Sequence, residues 1–175
     1  RILAMMKRNH TVLEYKSKLR KLRKIRPGIS ISSDFIVGFP GETDEDFEQT
    51  MDLVREVTYA QAYSFKFSPR PGTPAASMDI QVDEKVKSER LTRLQALLKE
   101  QQIAFNKSVV GKTLQVLIEN TGKKEGTAFG RSPYMQAVQV SLEGVPFNNL
   151  QGKIVDVLIK EAGPFNIQGV LVSSV

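Results

Sequence analysis

The residues of this chain best placed to do chemistry are Asp34-Phe-Ile-Val-Gly-Phe-Pro-Gly-Glu-Thr43. An apolar run ends there in a Gly-Phe-Pro-Gly turn, and an acidic helix start follows at once. In α/β proteins such a junction lies at the carboxyl end of a strand, where backbone groups and a helix N-terminus face one space and ligands bind. Gly38 permits close backbone approach to a ligand; the same residues equally describe an ordinary turn between strand and helix. Neither the GxGxxG nor the Walker spacing is present, so a pyrophosphate loop is not indicated. Asp34 offers a carboxylate to ribose hydroxyls, or is a polar residue on an apolar strand that a neighbour satisfies. Arg70 stands between Pro69 and Pro71, a stiffened position from which a guanidinium suits phosphate or carboxylate, or else plain loop surface. Lys112, Lys123, Lys124 and Arg131, with Phe129 and Tyr134, supply cations and rings of the kind that grip RNA; a core role for Phe129 is equally open.

Other chemistry is excluded. The chain has no cysteine and one histidine, His10, which removes disulfides, thiolate metal sites, a cysteine nucleophile and a zinc site. Glu42, Asp44, Glu45, Asp46, Glu48 and Asp52 resemble a metal cluster in composition, but their place at a helix start explains them by the macrodipole. No catalytic residue and no metal ligand is assigned within the chain.

The elements that must position these groups follow from periodicity. Thr11-Val-Leu-Glu14 fits a capping box, and Val12, Tyr15, Leu19, Leu22 and Ile25 then recur on one helical face until Pro27-Gly28. Ile29 to Phe39 reads as a strand whose Ile36-Val37 end is buried on both faces, as in a parallel sheet. Thr43 caps a second helix with the stripe Phe47, Met51, Val54 and Val57. Ala60 to Phe67 is a second strand, and the loop from Ser68 to Pro74 is too proline-rich for regular structure. Asp83 to about Lys107 is a long helix with Val86, Arg90, Leu94, Leu98 and Phe105 near one face. The order α, β-loop-α, β-loop-α predicts a right-handed parallel arrangement, and two or three strands cannot cover themselves, so this reads as the end of a larger α/β barrel or sheet.

Composition changes near Val109-Val110-Gly111. Beyond it come short strands at Leu114–Glu119, Gly126–Arg131, Ala137–Leu142, Lys153–Lys160 and Gln168–Val172, which predict a small five-stranded β-barrel. The domains are therefore 1–108 and 109–175. Charge is uneven: residues 1–26 hold ten Lys/Arg against one Glu, while 27–60 hold eight acids against one Arg, within a total of +6. The basic start faces a polyanion or is a solvated helix face. No apolar run is long enough to span a membrane, and no signal peptide is visible, which points to the cytoplasm. The start, without Met, reads as the middle of a helix and suggests a piece of a longer chain.

Five segments in one order carry a family resemblance: Met6-Lys-Arg-Asn-His-Thr11, Asp34 to Thr43, Asp46-Phe47, Phe65-Lys-Phe-Ser-Pro-Arg-Pro-Gly-Thr-Pro-Ala-Ala76 and Glu89-Arg-Leu-Thr-Arg-Leu-Gln95. Together they resemble the radical-SAM methylthiotransferases, nearest the type that acts on tRNA. Residues from about 108 are similar to the TRAM domain, an RNA-binding barrel, with Gly130-Arg-Ser132 matching its Gly-Arg-Thr/Ser element. The resemblance implies an α/β fold: the C-terminal part of a radical-SAM partial barrel followed by a small all-β TRAM barrel. It implies S-adenosylmethionine as cofactor and two 4Fe–4S clusters in the full-length enzyme, with every cluster cysteine upstream of Arg1. It implies addition of a methylthio group to C2 of an isopentenylated adenosine beside the anticodon. Ile36, Val37, Gly38 and Phe39 correspond to the strand end lining the adenine side of the S-adenosylmethionine site, with Asp34 beside them. Arg70 would edge the substrate cavity, and Lys112, Lys123, Lys124 and Arg131 would meet the tRNA anticodon arm. The fragment alone is expected to be inactive, to lack its N-terminal partner segment, and to form a homodimer through exposed barrel edges. The alternatives are a methylthiotransferase for an aspartate of a ribosomal protein and an RNA-binding module without catalysis.

Overall fold

The structure is a computed structural model, and it describes residues 1–172. The chain divides into two compact units, Arg1–Leu98 and the residues from Lys99 onward.

The first unit runs α1 (Ile2–Met5), α2 (Val12–Ile25), β1 (Ser32–Val37), α3 (Asp44–Val57), β2 (Gln61–Lys66) and the first turns of α4 (Glu84–Ser108). Both 14-residue helices begin at complete capping boxes. Thr11 Oγ1 accepts the Glu14 amide while Glu14 accepts the Thr11 amide, and Thr43 and Asp46 do the same, satisfying donors that a helix start otherwise leaves open. Helix α4 starts on Asp83, whose Oδ1 accepts the Lys85 amide at 2.8 Å.

Strands β1 and β2 pair in parallel, with Asp34 opposite Tyr63 and Ile36 opposite Phe65. Side chains alternate across a strand, so Phe35 and Val37 enter the core while Asp34 and Ile36 face away from it. Phe35, Val37, Phe47, Met51, Val54, Val57, Tyr59 and Leu94 pack there with Leu19. The phenolic hydroxyls of Tyr15 and Tyr59 lie 2.9 Å apart. Burial pushes the Tyr59 hydroxyl far above its ordinary range, helped by that bond.

Two expectations are corrected. The end of β1 is not buried on both faces: Ile36 is 45% exposed, because only one face of the two-stranded sheet is covered by helices. The apolar stripe of α2 is not all core either. Leu19 is buried, whereas Leu22 and Ile25 are exposed, the latter at 83%.

The second unit is a closed barrel in the order β3-β4-β5-β7-β6. Its strands are β3 (Thr113–Thr121), β4 (Thr127–Arg131), β5 (Ala137–Ser141), β6 (Ile154–Ala162) and β7 (Asn166–Leu171). All pairs are antiparallel except β5 with β7. Leu114, Val116 and Ile118 alternate inward from β3 to meet Val138, Val140, Val157, Ile159 and Ile167. Closure leaves the barrel without an open edge. Gly130 serves that closure: a Cβ there would come closer than 3.0 Å to the Leu117 carbonyl of the neighbouring strand. Among the described residues no helix is long and apolar enough to cross a membrane.

Candidate functional site

The covered and uncovered faces of the β1–β2 sheet place the first candidates. Asp34 and Ile36 stand on the uncovered face with Tyr63 and Phe65, which are 56% and 55% exposed. An apolar patch bearing two rings and one carboxylate thus lies at the carboxyl-terminal half of two parallel strands. Beside it, at the end of β2, a cleft of about 370 Å³ is lined by Phe65, Lys66, Phe67, Ser68, Glu84 and Lys87. Lys66 donates to Glu84 and reaches Ser88 Oγ at 3.3 Å. The Lys66 bond holds the Glu84 carboxyl below its ordinary range. Arg70 lies on exposed loop, its carbonyl accepting the Thr73 amide at 3.1 Å to close a turn.

Val37, Gly38 and Phe39 are on the other side of this division, all buried. Gly38 has φ +72°, a backbone state that favours glycine. A Cβ at Gly38 would strike the Lys87 side chain, closer than 3.0 Å to its Cγ. The Gly38 amide donates to Glu42 Oε1 at 2.9 Å. Close approach at this glycine is therefore made by α4 of the same chain. The Phe39 ring meets Phe67 edge-on at 5.2 Å.

Three charged residues that sequence reasoning left without a site role hold this turn. Glu42 and Arg90 are buried, their side chains 4% and 6% exposed. Arg90 Nη1 donates to Glu42 Oε1 at 2.8 Å and to the Glu42 carbonyl at 3.2 Å, and Nη2 donates to Asp44 Oδ1 at 2.6 Å. Arg90 Nε is buried without a hydrogen-bond partner. Burial pushes the Glu42 carboxyl above its ordinary range, against the pull of the Gly38 amide and of Arg90. Lys87, also buried, has its ammonium 3.6 Å from Glu84 and 5.8 Å from the Phe67 ring centre. The available signal was helical spacing: Lys87 and Arg90 share the face of Leu94, where a charge must have a partner.

In the barrel, Arg131 lies over the Phe129 ring at 5.4 Å, 3.6 Å from Glu119, and donates to the Met135 carbonyl at 3.3 Å. Tyr134 does not join them; it packs edge-on against Phe105 at 5.4 Å. Lys123 and Lys124 occupy the turn between β3 and β4, and Lys112 precedes β3 at the far end of that hairpin. At about 3.4 Å per residue, Arg131 is roughly 13 Å from the start of β4 along the strand. The four cations are spread along the hairpin, and only Arg131 is joined to a ring. Ser132 after it is buried, its hydroxyl accepting the Tyr134 and Gln136 amides. Gln136 in turn donates to Asn106 at 2.8 Å, fixing the loop that carries Arg131.

Residues 1–54 match the sequence model of the Radical SAM superfamily, and residues 107–172 match that of the TRAM domain. The chain is 54% identical over 164 residues to the tRNA-2-methylthio-N(6)-dimethylallyladenosine synthase of Sphingopyxis alaskensis, covering 94% of this chain and 36% of that protein. Proteins of the same name from Wolbachia pipientis subsp. Culex pipiens and Rickettsia rickettsii are 53% and 52% identical over 97% of this chain and 38% and 37% of theirs. The chain thus spans little more than a third of the length of the curated relatives it matches. A radical-SAM segment followed by a TRAM domain, both continuous with these relatives, places the chain in the radical-SAM methylthiotransferase family.

Proposed function

We propose that this chain is part of a tRNA methylthiotransferase that adds a methylthio group to C2 of N6-isopentenyladenosine beside the anticodon. What supports the reading is one placement. The chain continuous with relatives of that name presents two rings, an aliphatic side chain and a carboxylate together on the uncovered sheet face.

That face fits S-adenosylmethionine. Ile36, Tyr63 and Phe65 give apolar surface to a purine, and Asp34 gives an acceptor to ribose hydroxyls. When bound, the cofactor supplies the radical and methyl chemistry of the family. This chain's part is to bind and orient it, with Val37, Gly38 and Phe39 fixing the strand end from the buried side. The residues do not fit a 4Fe–4S cluster, since the sequence offers no thiolate, and no step is derived through one. Arg70 borders the substrate side. In the RNA-binding domain, which we take to begin at residue 109, the Phe129–Arg131 pair stacks on or beside a base while Lys112, Lys123 and Lys124 meet phosphates.

The test is nucleoside analysis of tRNA from cells with the encoding gene disrupted. Loss of the 2-methylthio derivative with accumulation of N6-isopentenyladenosine supports the reading. Unchanged tRNA together with loss of a methylthio mark on a ribosomal protein overturns it.

A further inference from the structure

Helix α2 carries charge that its own fold does not use. Two of its cations are tied down: Lys16 pairs with Glu56, and Arg23 donates to the Val57 carbonyl. Lys18 lies near Glu14, whose carboxyl it helps to hold low after the two Thr11 bonds. Arg20, Lys21 and Lys24 are exposed, and no acid lies within ion-pair distance of them among the described residues. At 3.6 residues per turn these three fall within about 100° of the helix circumference, turned away from Leu19 and Tyr15. They are also mutual neighbours: Arg20 and Lys24 are four residues apart, Lys21 and Lys24 three. Like charges at those spacings work against a helix. The macrodipole accounts for Lys24 in the last turn, but not for Arg20 and Lys21, which precede it. By contrast α3 balances its charges, Arg55 with Asp52 on its own surface and Glu48 with Arg93. An unpaired, self-repelling cation cluster on one short face is what a polyanion would compensate.

We infer that the Arg20–Lys21–Lys24 face of α2 is a phosphate-binding surface for RNA, separate from the barrel. The partner class rests on the proposed tRNA reading; the site itself rests on charge complementarity. Helical rise puts about 6 Å between Arg20 and Lys24 along the axis, so the face spans neighbouring phosphates of one strand. Contacts of this kind position the RNA and read no sequence.

The experiment measures binding of a fluorescent anticodon-arm transcript by the chain across a salt series, for the wild type and for R20Q/K21Q/K24Q. Each phosphate contact to duplex RNA lost lowers the slope of log K against log salt by about 0.9. The expected result is a slope smaller by about 2 and an affinity down roughly tenfold or more at moderate salt. A variant K21R/K24R should bind as the wild type does. The neutral variant should melt no lower than the wild type, since it removes repulsion. An unchanged slope overturns the proposal, as does a shift seen only with vesicles of phosphatidylserine. The parent reading fails differently: K123Q/K124Q/R131Q then leaves binding unaltered, or the wild type does not bind the transcript at all.

Discussion

Replacing Gly38 by alanine tests how the turn at the end of β1 is held. Gly38 sits at φ +72°, where an L side chain costs about 1–2 kcal/mol. The added Cβ also runs into the Lys87 stem, closer than 3.0 Å to Cγ. That stem is not a loose end to be pushed aside. It is buried, its ammonium is held near Glu84 and Phe67, and its backbone is fixed in α4. Overpacking of this kind costs about 1–3 kcal/mol. The two effects together predict a loss of roughly 2–5 kcal/mol. Urea unfolding followed by far-ultraviolet circular dichroism reads it, because α1, α2, α3 and most of α4 belong to the first unit. Gly28→Ala is the control: nothing lies within 4 Å of its Cβ position and its φ is not positive, so it should be neutral or slightly stabilising. In a cycle with Lys87→Ala, the steric part should vanish and the backbone part remain, giving a coupling of about 1 kcal/mol or more. A Gly38→Ala loss below about 1 kcal/mol with no coupling to Lys87 would refute the account.

Arg90→Met should cost about 3–5 kcal/mol, because it strands the buried Glu42 carboxylate; urea melts should show Glu42→Met/Arg90→Met recovering most of that loss. The raised Glu42 pKa means its contribution is fully present below 4.5 and fades as pH rises through the higher folded value. Glu42→Gln should therefore flatten the stability–pH curve in that acid-side window. Glu14 has the opposite sign: its lowered pKa adds stability above 4.5 that is lost as pH falls through the folded value. Thr11→Ala should move its carboxyl resonance titration back up towards 4.5, read by NMR. Gly130→Ala should cost about 3 kcal/mol or more in a barrel melt, since its clash is with backbone of β3, which cannot turn aside.

The barrel was the most legible part of the chain. Leu114, Val116 and Ile118 alternate without a break, and period two identifies a half-buried strand without any partner being known. The capping boxes at Thr11 and Thr43 were legible for a similar reason, being complete within four residues. The burial of β1 was not. Phe35-Ile36-Val37 is one apolar run, and only the number of covered faces decides whether Ile36 is core. The stripe of α2 failed on the same ground: apolar spacing shows which residues share a face, not how much of that face has a partner. The Glu42–Arg90 pair joins residues 48 apart, and nothing local marks Glu42 among six neighbouring acids as the buried one.

This division of β1 also changes what its residues say about a ligand. Val37, Gly38 and Phe39 are buried, and packing alone accounts for them: Val37 fills the core, Gly38 yields space to Lys87, and Phe39 meets Phe67. Folding would require such residues whether or not anything bound nearby. Ile36, Tyr63 and Phe65 have no such account within the first unit. They leave apolar surface in water beside Asp34, at a hydrophobic cost that the described residues do not offset. The uncovered face, rather than the glycine turn that first draws the eye, is therefore where the structure points to a bound molecule. The turn, braced by Glu42, Lys87 and Arg90, sets the angle at which that face is presented.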